Sequence, residues 1–105
     1  MIRAEVRRQG GEIRYLRVRG HADAGPPGHD LVCAAVSAVV QTALLGLREI
    51  DPAAPPGEIH DGDVRWQGTA TEAGQAILAA CVVGLKDIAR SHSGSLSLRE
   101  KEEYA

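Results

Sequence analysis

A change in hydrophobic period is the feature that most constrains the fold of this chain. Apolar and polar residues alternate through residues 2–7 and again through 12–19, on either side of a Gly-Gly pair at 10–11. Two period-two runs joined by such a pair predict a β-hairpin. From Leu31 to Ile50 the apolar residues instead recur at steps of three and four, which predicts a long, largely buried helix.

The second half of the chain repeats this order of hairpin and helix. Residues 51–57 contain three prolines, which end the first helix and make a stiff connection. Residues 58–68 then predict a second hairpin around an Asp-Gly turn at 61–62. Thr69 and Glu72 have the spacing of a capping box, which predicts the start of a second helix.

The carboxyl end completes the predicted fold. Apolar residues recur at helical steps through residues 77–92, and Gly94 is the predicted C-cap. Residues 95–99 alternate as a final strand, and we expect the charged tail at 100–103 to fray. The element order is ββαββαβ, and residues 1–105 are expected to form a single α+β domain, with two helices packed on one face of a mainly antiparallel sheet.

Composition limits both the core and the ligands. Phenylalanine is absent and aromatic residues make up 3% of the 105 residues, so the core is aliphatic and almost no platform remains for stacking nucleic-acid bases. The net charge is −2, yet residues 1–20 carry six arginines against two glutamates. This basic segment is either a solvated strand face that guards a sheet edge or a surface for RNA or an acidic partner.

The number of cysteines and the amino-terminal sequence indicate the cellular compartment. Two cysteines are too few for a disulfide scaffold. The charged, alternating amino terminus lacks the apolar run of a signal peptide, and no segment approaches the ~18 apolar residues that a membrane helix needs. We therefore expect a cytoplasmic protein with reduced thiols and no membrane partner.

Reactive side chains are densest in residues 20–33. With Asp30 as the predicted N-cap, Cys33 lies in the first turn of the first helix. There the helix dipole favours a thiolate, while the cap carboxylate opposes it. A histidine from the preceding segment, His21 or His29, would complete a Cys–His pair for attack on a carbonyl. The Cys33 N–H is a candidate oxyanion donor.

Other interpretations fit the same residues. The position of Cys33 also fits a small core residue on an apolar helix, with no role in catalysis. A metal site is the third interpretation, although the spacing matches no common zinc pattern; its ligands would be His21, Asp23, His29 and Cys33. Ser37, one turn after Cys33, either reaches the site or bonds back to the preceding turn.

The remaining candidates favour structural roles. Cys81 lies on the apolar stripe of the second helix, as expected of a buried thiol. His60 and His92 have no clustered partners, which is typical of solvated or capping histidines. Trp66 is the largest core or interface side chain.

A longer composite motif is more specific than any of these spacings. It runs through residues 20–47 as Gly20-His21-Ala22, then Gly28-x-Asp30-Leu31-Val32-Cys33-Ala34-Ala35-Val36-Ser37-Ala38, then Gln41-Thr42-Ala43-Leu44-Leu45-Gly46-Leu47. This order of a GHA motif, a glycine-rich loop and a helix entry resembles the bacterial ribosomal-processing cysteine protease family (Prp, YsxB-like).

The resemblance implies a cytoplasmic endopeptidase that removes a short N-terminal extension from the large-subunit ribosomal protein L-twenty-seven. By position it makes Cys33 the nucleophile and His21 its general base and acid, with Asp30 and Ser37 in supporting roles. It also implies a homodimer, no metal and no cofactor. A mobile substrate loop is expected within residues 20–30, with its glycines at Gly20, Gly25 and Gly28.

Two positions depart from the family pattern. Ala24 stands where an aromatic residue is expected, and His29 adds a second imidazole that competes with His21 for Cys33. The alternative function is a non-enzymatic, ribosome-associated binding module. It would contact ribosomal particles through the arginines of the first hairpin, which are Arg3, Arg7, Arg8, Arg14, Arg17 and Arg19.

Overall fold

The computed structural model describes residues 1–20 and 29–103, with the backbone alone described at 29 and 30. The elements follow in the predicted ββαββαβ order. They are β1 (Ile2–Gln9), β2 (Glu12–Arg19), α1 (His29–Ile50), β3 (Glu58–His60), β4 (Asp63–Gln67), α2 (Glu72–Ser91) and β5 (Leu96–Glu102).

The strands form one five-stranded sheet in the order β3-β4-β2-β1-β5. Three neighbouring pairs are antiparallel, and β5 runs parallel to β1. The predicted α+β class with a mainly antiparallel sheet is confirmed, and the parallel β1–β5 pair makes the sheet mixed.

One aliphatic core lies between the sheet and the two helices. Inward-facing strand residues such as Val6 and Leu16 meet helix residues such as Val40 and Leu85, all nearly inaccessible to solvent. Trp66 is also buried, and its indole N–H donates to the Pro55 carbonyl at 2.9 Å. Trp66 is therefore a core residue, and its interpretation as an interface side chain is wrong.

The start of α2 differs from the prediction. Thr71, not Thr69, is the N-cap, and its Oγ1 accepts the N–H of Gly74 at 3.3 Å. The buried Asp51 carboxylate, at the end of α1, accepts the N–H of Thr71 at 2.8 Å. A residue 20 positions away thus helps to cap α2, and the local Thr69–Glu72 spacing could not reveal it.

The end of α2 also differs from the prediction. His92 is the C-cap, with its N–H bonded to the Ile88 carbonyl, and Gly94 lies in the turn that follows. The His92 carbonyl then accepts the N–H groups of Ser95 and Leu96, at 2.9 and 3.1 Å. The helix therefore passes into β5 through a tight turn and does not need a glycine C-cap.

The charged tail does not fray within the described chain, because β5 continues to Glu102 along β1. Glu100 accepts from Lys86 of α2 at 2.8 Å and from Arg8 of β1 at 2.7 Å, and both contacts hold its pKa below the ordinary value. The N–H of Glu103 donates to the Arg8 carbonyl at 2.7 Å. Two cations from distant parts of the chain thus fix a segment that looks solvated in the sequence.

The first helix begins earlier than predicted. His29 is already helical, so Asp30 lies in the first turn instead of at the N-cap, and Cys33 is the fifth helical residue. In an α-helix the N–H of a fifth residue bonds to the carbonyl of the first. The Cys33 N–H is therefore engaged inside α1, and its predicted role as an oxyanion donor is not supported.

Helix α1 contradicts the expectation that no segment of the chain is apolar enough to cross a membrane. Residues 31–50 are long and apolar enough, by length and composition alone, to cross a membrane. The core helix of a water-soluble protein passes the same test, and the inner face of α1 packs against the sheet and α2. We therefore interpret it as a core helix whose outer face is unusually apolar.

The contact between Asp51 and the start of α2 makes a direct prediction. A Cβ at Gly74 would collide with the Asp51 carboxylate and lie 3.0 Å from Leu47 Cδ1. Gly74→Ala should therefore lower the free energy of unfolding by about 1–3 kcal/mol. Gly46→Ala, the matched helical control, meets only Ile77 at 4.0 Å and should raise it by about 0.5–1 kcal/mol. Urea unfolding of both variants measures the difference, and equal effects would contradict this packing.

Candidate active site

A cleft of about 430 Å³ separates α1 from the β3–β4 hairpin. Cys33, Ser37 and Gln41 line it from α1, at positions i, i+4 and i+8 on one helix face. Residues 59–64 of the hairpin form the opposite wall. The apolar lining comes mainly from the sheet and the inner side of α1, and includes Ile2, Val18, Val36 and Val40.

Cys33 lies at the boundary between core and cleft. It is half-buried and packs against the hydrophobic core, whereas Ser37, one turn later, is exposed. A thiol held by a rigid helix at the margin of an open cleft combines fixed geometry with access for a large substrate. The structure thus brings two of the predicted site residues, Cys33 and Ser37, to one surface.

Gly20 fixes the point at which the chain leaves β2 beside this cleft. Its N–H donates to the Gly62 carbonyl at 2.9 Å, and it lines the cleft together with Cys33. Its φ is +96°, and a Cβ there would lie 2.6 Å from the Met1 carbonyl oxygen. Only glycine fits this position without strain. Gly20, the last described residue before His21 in the chain, therefore lies at the rim of the cleft.

The hairpin wall is held by an ion pair. Arg17 of β2 donates to both carboxylate oxygens of Asp63, at 3.1 and 2.9 Å, and holds the pKa of Asp63 below its ordinary value. A bidentate guanidinium–carboxylate pair fixes orientation as well as distance. It supports the turn at Gly62, whose carbonyl anchors Gly20.

Two further histidines are described, His60 on the hairpin wall of the cleft and His92 at the end of α2. His60 pairs in register with Asp63, on the strand face opposite to that of Ile59 and Val64. It therefore shares a face with the Arg17–Asp63 pair. His92 caps α2 beside Leu31 and Ala35, which lie on another side of α1 from Cys33.

The other predicted site residues fall partly outside the described chain. His21, Gly25 and Gly28 lie outside it, and so does most of the expected substrate loop. Asp30 is described in its backbone alone, as part of the first turn of α1. The hairpin wall at 59–64 was not singled out in the sequence, where its Asp-Gly turn indicates a hairpin but not the element it faces.

Cys81 differs sharply from Cys33. It is buried under α2, and desolvation raises its pKa to about 11. A thiol in such surroundings stays protonated and unreactive at neutral pH. The prediction of a buried core thiol at this position is confirmed.

Among the residues that the structure describes, no group of three His, Cys, Asp or Glu side chains is placed to hold a metal ion. Three of the four ligands of the metal interpretation are His21, Asp23 and His29, whose side chains lie outside that part. The cleft contributes Cys33, His60, Asp61 and Asp63, and the last of these is already paired with Arg17.

Comparison with known proteins identifies the class to which this fold and cleft belong. The family model described as cysteine protease Prp matches residues 1–97. The ribosomal processing cysteine protease Prp of Staphylococcus aureus is 32% identical over 98 residues, covering 87% of this chain and 90% of that protein. The chain therefore belongs to the Prp family of cysteine proteases, which process ribosomal proteins.

Solved structures agree with this assignment. The S. aureus protease in complex with a substrate peptide gives a TM-score of 0.85 at 25% identity, covering 96% of this chain and all of that one. A complex of the same protease with a covalently linked product peptide gives 0.84 at 26% identity, with the same coverage. SMU.848 from Streptococcus mutans, at 22% identity, shares the fold with a TM-score of 0.80, covering 98% of this chain and 96% of that one.

The two thiols should differ in reactivity. At neutral pH iodoacetamide should alkylate Cys33, which borders the cleft, and leave Cys81 intact, because the pKa of Cys81 is raised to about 11. Peptide mass mapping of the folded protein measures the two sites, and Cys33→Ser is the matched control. Preferential alkylation of Cys81 would contradict the assignment, and Cys81 should react once the protein is unfolded in urea.

Proposed function

We propose that this chain removes the N-terminal extension of the ribosomal protein L-twenty-seven precursor, with Cys33 as the nucleophile and His21 as its proton-transfer partner. The observation that carries the proposal is the cleft that joins Cys33 to Gly20. One wall presents a thiol on a rigid helix, and the other wall anchors the residue to which His21 is bonded. The substrate class is carried over from the family and from the S. aureus relative, a ribosomal processing cysteine protease.

The proposed chemistry is acyl transfer through a thioester. His21 takes the proton of the Cys33 thiol, and Sγ forms a bond to the scissile carbonyl carbon. His21 then returns the proton to the departing amine, which frees the shortened ribosomal protein. A water molecule, deprotonated by His21, hydrolyses the thioester between Cys33 and the extension and restores the thiol.

Two observations support His21 as the partner. Gly20, the residue covalently bonded to His21, lines the cleft with Cys33, and its hydrogen bond to Gly62 and the lack of space for a side chain fix its position. His92 lies on another side of α1 from Cys33, and His60, which lines the hairpin wall of the cleft, lies on the strand face opposite to that of Ile59 and Val64. His29, four residues before Cys33 on α1, is the competing imidazole, and a matched pair of variants separates the two.

The cleft suits an extended peptide. β3 is an edge strand of the sheet, on the side of the cleft, and in the described chain one side of it has no strand neighbour. An extended substrate can pair with such an edge through its backbone while its side chains enter the cleft. The S. aureus relative has been crystallised with a substrate peptide and with a covalently linked product peptide, as a covalent mechanism requires.

Several further parts of the proposal rest on the family resemblance. Asp30 orients the site from the first turn of α1, and Ser37 assists one turn beyond Cys33, where it lines the cleft. The segment that begins at Gly20 moves to admit the substrate. The reaction needs no metal or cofactor and takes place in the cytoplasm, where the Cys33 thiol stays reduced.

A cleavage assay tests the proposal. The protein and its variants are mixed with the L-twenty-seven precursor of the same organism under reducing conditions, and the products are read by intact mass. Wild type should make one cut near the precursor N-terminus. Cys33→Ala and His21→Ala should each lower the rate by at least about 10³-fold, because nucleophile and base act as one unit.

The matched controls are His29→Ala and Cys81→Ala, which should retain activity within about tenfold while circular dichroism shows the folded state. Loss of cleavage in His29→Ala with activity retained in His21→Ala would reassign the base. Full activity of Cys33→Ala would overturn the mechanism.

We also propose that the chain is a homodimer joined through its helix layer. Four large apolar side chains are exposed on the helices, and they are Leu31, Leu45, Ile50 and Val83. A groove of about 550 Å³ between α1 and α2, lined almost entirely by apolar side chains such as Val39 and Ile77, lies among them. Apolar surface of this kind is typical of a contact between subunits.

Sedimentation tests the dimer. The wild-type protein should show a sedimentation mass of twice the chain mass of 11.1 kDa. Val83→Glu should raise the dimer dissociation constant at least about tenfold, because it places a charge in the contact. Ile59→Glu, an equally apolar exposed position on the sheet edge, is the control and should remain dimeric. A wild-type monomer at micromolar concentration would contradict the dimer.

A further inference from the structure

Membership of a protease family removes the non-enzymatic alternative. It does not explain the arginines of the first hairpin. The outer face of the sheet, opposite the helices, has a depression of about 480 Å³. Its lining residues are Arg3, Ala4, Glu5, Arg7, Tyr15, Arg17, Arg19, Ser97 and Arg99. We call this surface the arginine face.

Only some arginines of the first hairpin line the arginine face. Arg8 pairs with Glu100 at 2.7 Å and Arg14 lies 3.6 Å from Glu12, and neither lines the depression. Arg99 of β5 joins instead, because β5 pairs with β1. The face thus gathers five arginines and one glutamate from three strands, which the first hairpin alone would not do.

Three of these arginines make no ion pair in the described chain, although Asp63 is paired in register with Arg19 and Glu5 with Arg99. Among residues 1–20 and 31–103, no carboxylate lies within ion-pairing distance of Arg3, Arg19 or Arg99. Arg3 and Arg19 are also paired directly across β1 and β2. Like charges opposite each other destabilise a sheet, and a bound anion would relieve their repulsion.

The remaining side chains shape the face. Arg7 donates to Glu5 at 2.9 Å and stacks over the Tyr15 ring at 4.1 Å from its centroid, so its guanidinium plane is held in one orientation. Arg17 is fixed by Asp63. The strand spacing is about 4.8 Å, and along the strands Arg17 and Arg19 are about 6.6 Å apart and Arg3 and Arg7 about 13 Å apart. The arginines of this face are therefore distributed over a surface that suits several phosphates.

We propose that the arginine face binds the phosphate backbone of structured RNA, and so holds the protease on ribosomal particles. The inference rests on the proposed function, because a ribosomal protein substrate is surrounded by RNA, and the S. aureus relative is a ribosomal processing protease. Tyr15 is the one aromatic residue in the depression, and its ring is covered by Arg7. The arginine face would therefore bind RNA through its phosphates and not by stacking on its bases. A second copy fits poorly, because a symmetric contact would bring the same arginines together.

The arginine face and the catalytic cleft can be occupied together. The cleft lies between α1 and the hairpin on the helix side of the sheet, and the arginine face lies on the other side. Arg17 connects the two regions, because its partner Asp63 also borders the cleft. An RNA-bound protease would therefore keep its cleft open to the precursor.

The binding of a fluorescent RNA hairpin to the full chain, measured over a range of KCl concentrations, tests the proposal. Affinity for wild type should fall steeply with salt as counterions are released. The triple variant Arg3→Gln/Arg19→Gln/Arg99→Gln should bind at least about tenfold more weakly, with the log–log salt slope reduced by about 3. All three residues are exposed, so the variant should fold.

Two controls make the result specific. The triple Arg→Lys variant at these positions should keep most of the slope, because lysine retains the charge. Arg48→Gln/Arg90→Gln, which removes exposed arginines from the two helices, should bind as wild type does. Cleavage of the isolated precursor should be unchanged in the triple Gln variant, which separates this inference from the protease mechanism.

Three outcomes would overturn the inference. They are no salt-dependent binding by wild type, an unchanged slope in the triple Gln variant, and competition by a polyglutamate peptide as strong as that by unlabelled RNA. The last result would assign the face to an acidic protein partner.

Discussion

Covering a five-stranded sheet with helices on one face only is the constraint on which the rest of this structure depends. Each strand must alternate between aliphatic residues that face the helices and polar residues that face water. The inner face and the two helices together form the core, in a chain without phenylalanine. The outer face has no covering element in the described chain and carries the arginines. The cleft lies at the margin of the helix layer, where α1 and the hairpin do not close over the sheet.

The local patterns of the sequence predicted the elements well, because alternation and helical period are properties of neighbouring residues. Errors arose where a distant residue determines the local structure. Asp51 moves the start of α2 to Thr71, and Lys86 with Arg8 extends β5 through Glu100. The local sequence pattern does not indicate either contact, because charged and capping residues are common in surface segments.

The site was predictable in its reactive residues but not in its walls. The motif around Cys33 identified the thiol and its helix, and the structure puts Cys33 and Ser37 on the cleft. The hairpin wall and the Gly20–Gly62 contact depend on how β4 packs beside β2, which spacing along the chain does not reveal. The roles of His21 and Asp30 stay predictions, supported by the position of Gly20 and by the start of α1.

In the proposed mechanism, cleavage passes through a thioester on Cys33. The most direct test is to run the reaction with the L-twenty-seven precursor in hydroxylamine and to analyse the released extension by mass spectrometry. A thioester intermediate predicts an extension that ends in a hydroxamate, because hydroxylamine competes with water for the acyl group. An extension that is always the free acid, at every hydroxylamine concentration the folded protein tolerates, would contradict covalent catalysis by Cys33.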